Sequence, residues 1–311
     1  MYTNLKKIST KGMSREEWLE HRRKSIGGSD ASAILGMNPY SSAYTVWADK
    51  LGKLPEKEDN EPMRLGRDLE DYVAQRFTEA TGKKVRRENN ILINPDYPFA
   101  HANVDRMIVG EDAGFEAKTT SALNVKRFKN GEFPDTYYAQ CVHYLAVTGC
   151  KRWYLGVLIL GVGFEWFVIE RDEDEINALM KSEAEFWKYV EAQTPPMADG
   201  SDSTTKTITA IYPESNGEEV SLMAYESDLK QYMTFCSLIK DVEKQRDEVG
   251  NRIKAYMGEA SKGVGNHHKV TWSSSVRSTF DHKRFAQDNP HMDLTSYYKI
   301  SPCRIFKVAE L

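Results

Sequence analysis

Two acids and a lysine near the middle of the chain have the types and spacing of a hydrolytic metal centre. Ten residues separate Asp105 from the triplet Glu116-Ala117-Lys118. In a strand, residues two apart share a face, so Glu116 and Lys118 point together while Ala117 points away. The stretch from Gly110 to Gly114, GEDAG, is rich in turn residues and divides two short strand-like runs. The segment from Asn103 to Lys118 therefore reads as a β-hairpin with an acidic turn. If Asp105 faces the triplet across it, two carboxylates and an ammonium share one small volume. Like charges about 4 Å apart repel by roughly 1 kcal/mol in water and roughly 4 kcal/mol at an effective dielectric of about 20. A divalent cation offsets that cost. Asp105 and Glu116 are hard oxygen ligands suited to Mg²⁺ or Mn²⁺, and the Ala117 carbonyl can add a third. Lys118 would orient or deprotonate the attacking water, or stabilise charge building on a phosphate. The same residues also fit a surface hairpin in which Lys118 only pairs with Glu116, and the bare pattern does not choose between the two.

The neighbouring elements must position that trio. Ser14-Arg15-Glu16-Glu17 is a capping box opening a helix through Trp18 to about Lys24. Arg22, Arg23 and Lys24 at its end suit the macrodipole. They also precede Ile26-Gly27-Gly28-Ser29-Asp30, a glycine-rich turn into a short helix capped by Ser29 or Asp30. Gly28 permits close backbone approach. Basic residues before such a turn can form a phosphate cradle, although a plain loop has the same composition. A further helix starts at Ser42. A long one spans about Pro62 to Thr81 and stops at Gly82, with a core stripe of Leu65, Leu69, Tyr72, Val73, Arg76 and Phe77. Glu70 beside that stripe is either a solvated carboxylate or a third acid for the metal. One alternating strand is expected around VRRENNILI. After the hairpin, Lys126, Arg127 and Lys129 form a second basic patch. A helix from Pro134 to Gly149 packs through Tyr137, Cys141, Tyr144 and Leu145, with Gln140 on an adjacent face. His143 reads as a packed or exposed helix histidine with no acid nearby. Two apolar strands, RWYLGVLIL and FEWFVIE, belong at the buried centre of a sheet. A helix from about Asp172 to Ala192 follows. The order gives an α/β sandwich with a mixed sheet.

Composition sets the bounds. At 311 residues, 28% charged and 40% hydrophobic, the chain has the profile of a soluble globular protein. No apolar run reaches bilayer length and the N-terminus lacks a signal-like segment, so no membrane role and a cytoplasmic location are expected. Cys141, Cys150, Cys236 and Cys303 show no paired spacing, which argues against a zinc module, an iron–sulfur cluster or a disulfide scaffold. A net charge of −4 disfavours DNA coating but allows a nuclease whose positive charge is confined to a cleft. Residues 197–220 have linker composition. They divide a core of residues 1–196 from an extension of residues 221–311. That extension holds a long helix from about Leu222 to Met257 and a small α+β tail, with strands around a short helix capped by Asp281.

Across residues 14 to 195 the chain resembles the YqaJ-type viral recombinases, relatives of the phage lambda exonuclease within the PD-(D/E)XK, restriction-endonuclease-like fold. The resemblance is carried by Trp18, Arg22, Ile26-Gly27-Gly28-Ser29-Asp30, Gly66-Arg67-Asp68-Leu69-Glu70, Asp105, Glu116-Ala117-Lys118 and Gln140 in that order. It implies a Mg²⁺-dependent exonuclease, with Mn²⁺ as a substitute, digesting one strand of linear duplex DNA from its 5′ end. Asp105, Glu116 and the Ala117 carbonyl match metal ligands, Lys118 the catalytic lysine, and Glu70 a carboxylate near a second metal or water. Arg22 and Ser29 match groups that hold a phosphate, and Gln140 a glutamine that supports the site. Arg23, Lys24 and Gly28 would join the DNA contacts. The implied setting is phage or prophage recombination in a bacterial host. The 3′ overhangs would pass to a RecT-type single-strand annealing protein, and relatives form a ring-shaped trimer. Val104 and Arg106 depart from the Pro and Gly common at these places, which bears on hairpin geometry rather than on the ligands. A restriction-like endonuclease using the same centre and a non-catalytic DNA-binding module are the competing readings.

Overall fold

The computed structural model describes residues 2, 4–56, 59–299 and 303–310. It divides into two compact units after Tyr212. The first opens with β1 (Lys6–Ser9) and α1 (Arg15–Arg23). The Ser14 hydroxyl accepts from the Glu17 N–H while the Glu17 carboxylate accepts from the Ser14 N–H, so the expected capping box forms. Next come β2 (Ile26–Gly27), α2 (Gly28–Ile34), α3 (Ala43–Lys50) and α4 (Glu61–Thr81). Gly82 ends α4 with a positive φ of 72°, a backbone state that favours glycine. Val73 and Phe77 are buried on its inner face, but Tyr72, expected in that stripe, is 44% exposed.

The strand expected around VRRENNILI is two strands in two sheets. β3 (Val85–Arg87) pairs with β6, whereas β4 (Asn90–Ile93) pairs with β1 and β5. The polar step between them, Glu88-Asn89, lets the chain change sheets. β5 (Ala100–Asn103), β6 (Arg106–Ile108) and β7 (Ala113–Thr120) follow, then a 3₁₀ turn over Ala122–Phe128 and α5 (Asp135–Thr148). β8 (Arg152–Ile159), β9 (Gly163–Glu170), α6 (Glu173–Glu191) and α7 (Asp202–Ile211) complete the unit. One sheet runs β1-β4-β5-β2 and the other β3-β6-β7-β8-β9. The β6–β7 hairpin is antiparallel and β7–β8 parallel, so the larger sheet is mixed.

β8 lies inside that sheet and is buried, as its apolar run requires. β9 does not, for it is the edge strand and exposes Trp166 and Val168. Trp166 nevertheless packs edge-on to Phe77, so its large ring gains contact despite the edge position. Phe115, Ala113 and Tyr154 meet Phe77 of α4 on one face of β7–β8. Leu155 and Val157 meet α5 and α6 residues such as Leu145 and Ile176 on the other. Burial of these side chains at ~1.5–3 kcal/mol each holds β7 between two helical layers.

The stretch read as a linker from residue 197 contains α7. Thr204 and Thr207 are buried there, and their hydroxyls bond the hydroxyls of Ser42 and Thr45 at the start of α3 (2.7 and 2.8 Å). Small hydroxylated residues give loop-like composition, but paired in this way they make a helix contact. The second unit holds α8 (Glu226–Met257), a short hairpin of β10 (Lys262–Val264) and β11 (Lys269–Thr271), and α9 (His282–Asp288) capped by Asp281. Residues 303–310, expected to include a strand, have no regular structure. Among the described residues no helix is long and apolar enough to cross a membrane.

Candidate active site

β7 runs on past its hairpin partner. Its pairing with β6 covers Gly114 and Phe115 and then stops, while its pairing with β8 continues to Thr120. From Glu116 onward one edge of the strand is therefore open, and Asp105 occupies it. Asp105 sits just before β6, and its Oδ2 accepts the Ala117 N–H at 2.8 Å. In a strand the N–H and C=O of one residue point to the same side, so the Ala117 carbonyl also faces this edge.

Glu116 and Lys118 share the opposite face from Ala117, as strand alternation requires. The Lys118 Nζ lies 2.7 Å from Glu116 Oε1 and donates to Gln140 Oε1 at 2.9 Å. The Gln140 amide donates to Glu116 Oε1 at 2.7 Å. Gln140 thus holds both partners from α5, and its Nε2 also lies 2.8 Å from the Tyr144 hydroxyl, which donates to the Asn103 carbonyl. The other Glu116 oxygen, Oε2, is buried and receives no donor, so its remaining partner is the Asp105 carboxyl, with which it bonds when the pair holds a proton.

The electrostatics express the same crowding. Burial pushes Glu116 up, Asp105 pushes it further, and Lys118 only partly offsets them, leaving it at about 8 against an ordinary 4.5. Burial also raises Asp105, against the pull of Lys118 and the Ala117 N–H. Burial would lower Lys118, but Glu116 and Asp105 outweigh it and hold the ammonium above the ordinary lysine value. With both acids ionised the centre sets two negative charges against the single positive charge of Lys118, and the Glu116 oxygen that receives no donor, the Asp105 carboxylate and the strand-edge carbonyl fit a hard divalent cation. Among the described residues no three His, Cys, Asp or Glu side chains are grouped as a metal cluster. The Ala117 carbonyl, on the same strand edge as Asp105, could add a third oxygen donor.

Glu70 approaches closely enough that Asp105 adds to burial in raising its pKa. Its Oε1, however, accepts from Arg106 at 3.0 Å. Arg106 is buried and also pairs with Asp71, which in turn binds Arg87. The Arg that departs from the resembling pattern thus ties Glu70 down. Val104, the other departure, packs in the core.

The phosphate-cradle residues divide. Arg22 donates to Ser29 Oγ at 3.1 Å and to Asp30 at 3.4 Å, with its guanidinium over the Trp18 ring. Arg23 lies against Gly52 and Lys24 pairs with Glu20 on the exposed face of α1, so neither is joined to this turn. Residues one apart on a helix point about 100° apart, so the three basic side chains leave α1 in different directions. Gly28 meets the site from the other side. A Cβ there would stand 2.6 Å from the Tyr144 ring and 3.2 Å from Gln140, so glycine lets α2 close onto α5 and brings Ser29 beside Gln140.

Several contributors were not evident in sequence. Lys50 is buried, bonds Asp30 Oδ2 at 2.6 Å and donates to the Arg22 carbonyl. Burial raises Asp30, yet Lys50 and Arg22 outweigh it and keep it far below the ordinary range. Asp30 also caps the Gly27 N–H. His143 does have an acid partner, since Glu183 of α6 lies 2.8 Å from Nδ1 while Nε2 meets the His101 carbonyl. The pair lies 40 positions apart in sequence, and only helix packing joins them.

The architecture and the acid-pair-plus-lysine edge define a restriction-endonuclease-like α/β protein. A profile of the YqaJ-like viral recombinase domain matches residues 17–151. YqaJ of Bacillus subtilis strain 168, an uncharacterized protein, is 41% identical over 285 residues, 89% of each chain. The chain therefore belongs to the YqaJ-like viral recombinase family. Among solved structures, that of LHK-Exo in complex with dAMP overlays with a TM-score of 0.50 at 20% identity, covering 57% of this chain and 93% of its own. LHK-Exo is an alkaline exonuclease from Laribacter hongkongensis. This likeness bears on the fold alone.

Proposed function

We propose that the protein is a Mg²⁺-dependent nuclease acting as a 5′-to-3′ exonuclease on linear double-stranded DNA. The observation that carries this reading is the meeting of Asp105, Glu116 and Lys118 at an open strand edge, with one buried Glu116 oxygen that no donor reaches. Uncatalysed phosphodiester hydrolysis is slow enough that on the order of 20 kcal/mol of barrier must be removed. A divalent cation, when bound, supplies acidification of water and neutralisation of phosphoryl charge. The chain's own residues do the rest. Asp105, Glu116 and the Ala117 carbonyl hold the cation, and Mn²⁺ substitutes for Mg²⁺. Lys118, kept protonated by its neighbours, orients water or steadies the phosphoryl oxygens rather than acting first as a base. Gln140 fixes Lys118 and Glu116 in register, and Arg22 with Ser29 holds a phosphate. Glu70 stands in reserve as a water or second-metal group tethered by Arg106.

The exonuclease character of LHK-Exo and membership of a recombinase family support duplex DNA ends as the substrate. Feeding 3′ overhangs to a RecT-type annealing protein, and assembly as a ring-shaped trimer, belong to the same proposal and rest on family resemblance. The test is a time course on end-labelled linear duplex and closed circular DNA, with Mg²⁺ supplied or withheld. Mg²⁺-dependent loss of the linear form alone is expected. Cutting of the circle would replace the exonuclease by an endonuclease, and no cleavage of either would remove the hydrolytic reading.

A further inference from the structure

α8 is a 32-residue helix with no buried side chain among the described residues. Its apolar residues nevertheless fall on one line. From Tyr232 to Tyr256, eight positions follow one another at alternating spacings of three and four, an unbroken heptad over about 36 Å of helix. Seven of the eight are large apolar side chains, between 42 and 94% exposed, and the eighth is Arg246. Helices in proteins are held chiefly by burial of such a face, so this seam calls for a cover. It is also narrow. Between its ends the flanking positions are Cys236, Glu243 and Gly250 on one side and Leu238, Gln245 and Arg252 on the other, all small or polar except Leu238. A helix lying on a globular flank needs a wider stripe, whereas two positions in seven is the width that one partner helix fills. Tyr232 meets Phe306 edge-on at 5.6 Å and still stays exposed, so the seam runs on past that contact.

Arg246 selects the partner helix and its direction. In a parallel pair of α8 helices the two Arg246 side chains would share one layer of the seam, and like charges withdrawn from water oppose association. An antiparallel pair in which all eight positions meet removes that clash. Arg246 then faces Val242 of the second copy, with Glu243 of that copy at the next position. The attraction between these two residue types already shows within one chain, where Arg246 lies 3.8 Å from Glu243. Every other layer is apolar on both sides, with Ile239 against Val249, Phe235 against Ile253 and Tyr232 against Tyr256. On the flank Cys236 meets Gly250, two small residues that let the helices approach. The same surface serves on both copies, which is the condition for a two-fold contact.

We infer that α8 pairs with α8 of a second copy of this chain as an antiparallel two-stranded coiled coil centred between Val242 and Arg246. The inference concerns the second unit alone and stands whether or not the chain is a nuclease. Its test uses the full chain with the exposed Cys303 replaced by Ser, which leaves Cys236 on α8 and the buried Cys141 and Cys150. Gly250→Cys is added to that parent, and a Cβ at Gly250 meets nothing within 4 Å, so the helix accepts it. Positions 236 and 250 lie about 21 Å apart along one helix, beyond the reach of a short bismaleimide, but they adjoin between antiparallel copies. A cross-linked two-chain species is expected with Gly250→Cys and not in the parent. Cross-linking of the parent would set the two Cys236 side by side and overturn the antiparallel pair, and no cross-linking in either protein would overturn the pairing itself. Sedimentation equilibrium of the wild type is the second measurement. An even number of chains per particle is expected, halved by Ile239→Asp in the seam and unchanged by Lys244→Asp on the outer face. A single chain, an odd number, or a mass that Ile239→Asp leaves unaltered would each overturn the inference.

Discussion

Replacing Glu116 by Gln isolates the electrostatic cost of the acid pair. In the native chain Glu116 titrates at about 8 rather than 4.5, because burial and Asp105 disfavour its charge. A folded-state value above the unfolded one means that the native state holds the extra proton across that interval. Stability is therefore complete below about 4.5 and is lost as pH rises through about 8. Between about pH 6 and full ionisation the loss is on the order of 3 kcal/mol. Glutamine keeps the shape and the contact with Gln140 but does not titrate. In EDTA, Glu116→Gln should therefore be more stable than the wild type by an amount that grows from about pH 6 to about pH 9. For a unit of this size the gain corresponds to about 6–12 °C in Tm at the upper end. Thermal melts followed by tryptophan fluorescence, with denaturant titrations at matched pH, measure it. Added Mg²⁺ should restore the wild type at alkaline pH and do little for the variant. Parallel pH profiles for the two proteins in EDTA would show that Glu116 carries no such burden, and the argument for a cation between the acids would go with it.

Three further outcomes are expected. Lys118→Ala should lower DNA cleavage by about 10²–10³-fold while leaving duplex binding near normal in a gel-shift assay, and normal cleavage would remove Lys118 from the chemistry. Asp105→Ala should abolish tight Mn²⁺ binding in calorimetry, and unchanged affinity would reject Asp105 as a ligand. Lys50→Met leaves Asp30 buried beside a more distant Arg22, so a loss of about 3–5 kcal/mol in urea unfolding is expected, with no change meaning that Asp30 is adequately held without Lys50.

Local signals were legible wherever the cause of structure is local. The Ser14–Glu17 capping box, the Gly82 and Gly149 helix stops and the alternation of Glu116, Ala117 and Lys118 depend on residues a few positions apart. The family resemblance could be read for a related reason, since its motifs occur in fixed order. Readings failed where distant contacts decide. Glu88-Asn89 separates two sheets because their partners differ, and the threonines of α7 become buried only against α3. The run FEWFVIE is apolar enough for a sheet centre, but strand order makes it an edge.

The identity of the acids, the lysine and the glutamine, and the face each takes on its own element, follow from the chain's order of residues alone. Only the tertiary structure decided that Asp105 meets the open edge of β7, that Arg106 draws Glu70 aside, and that Arg22, but neither of its basic neighbours, reaches Ser29. Periodicity sets directions within a helix or strand, whereas distances between elements come from packing of surfaces remote in sequence.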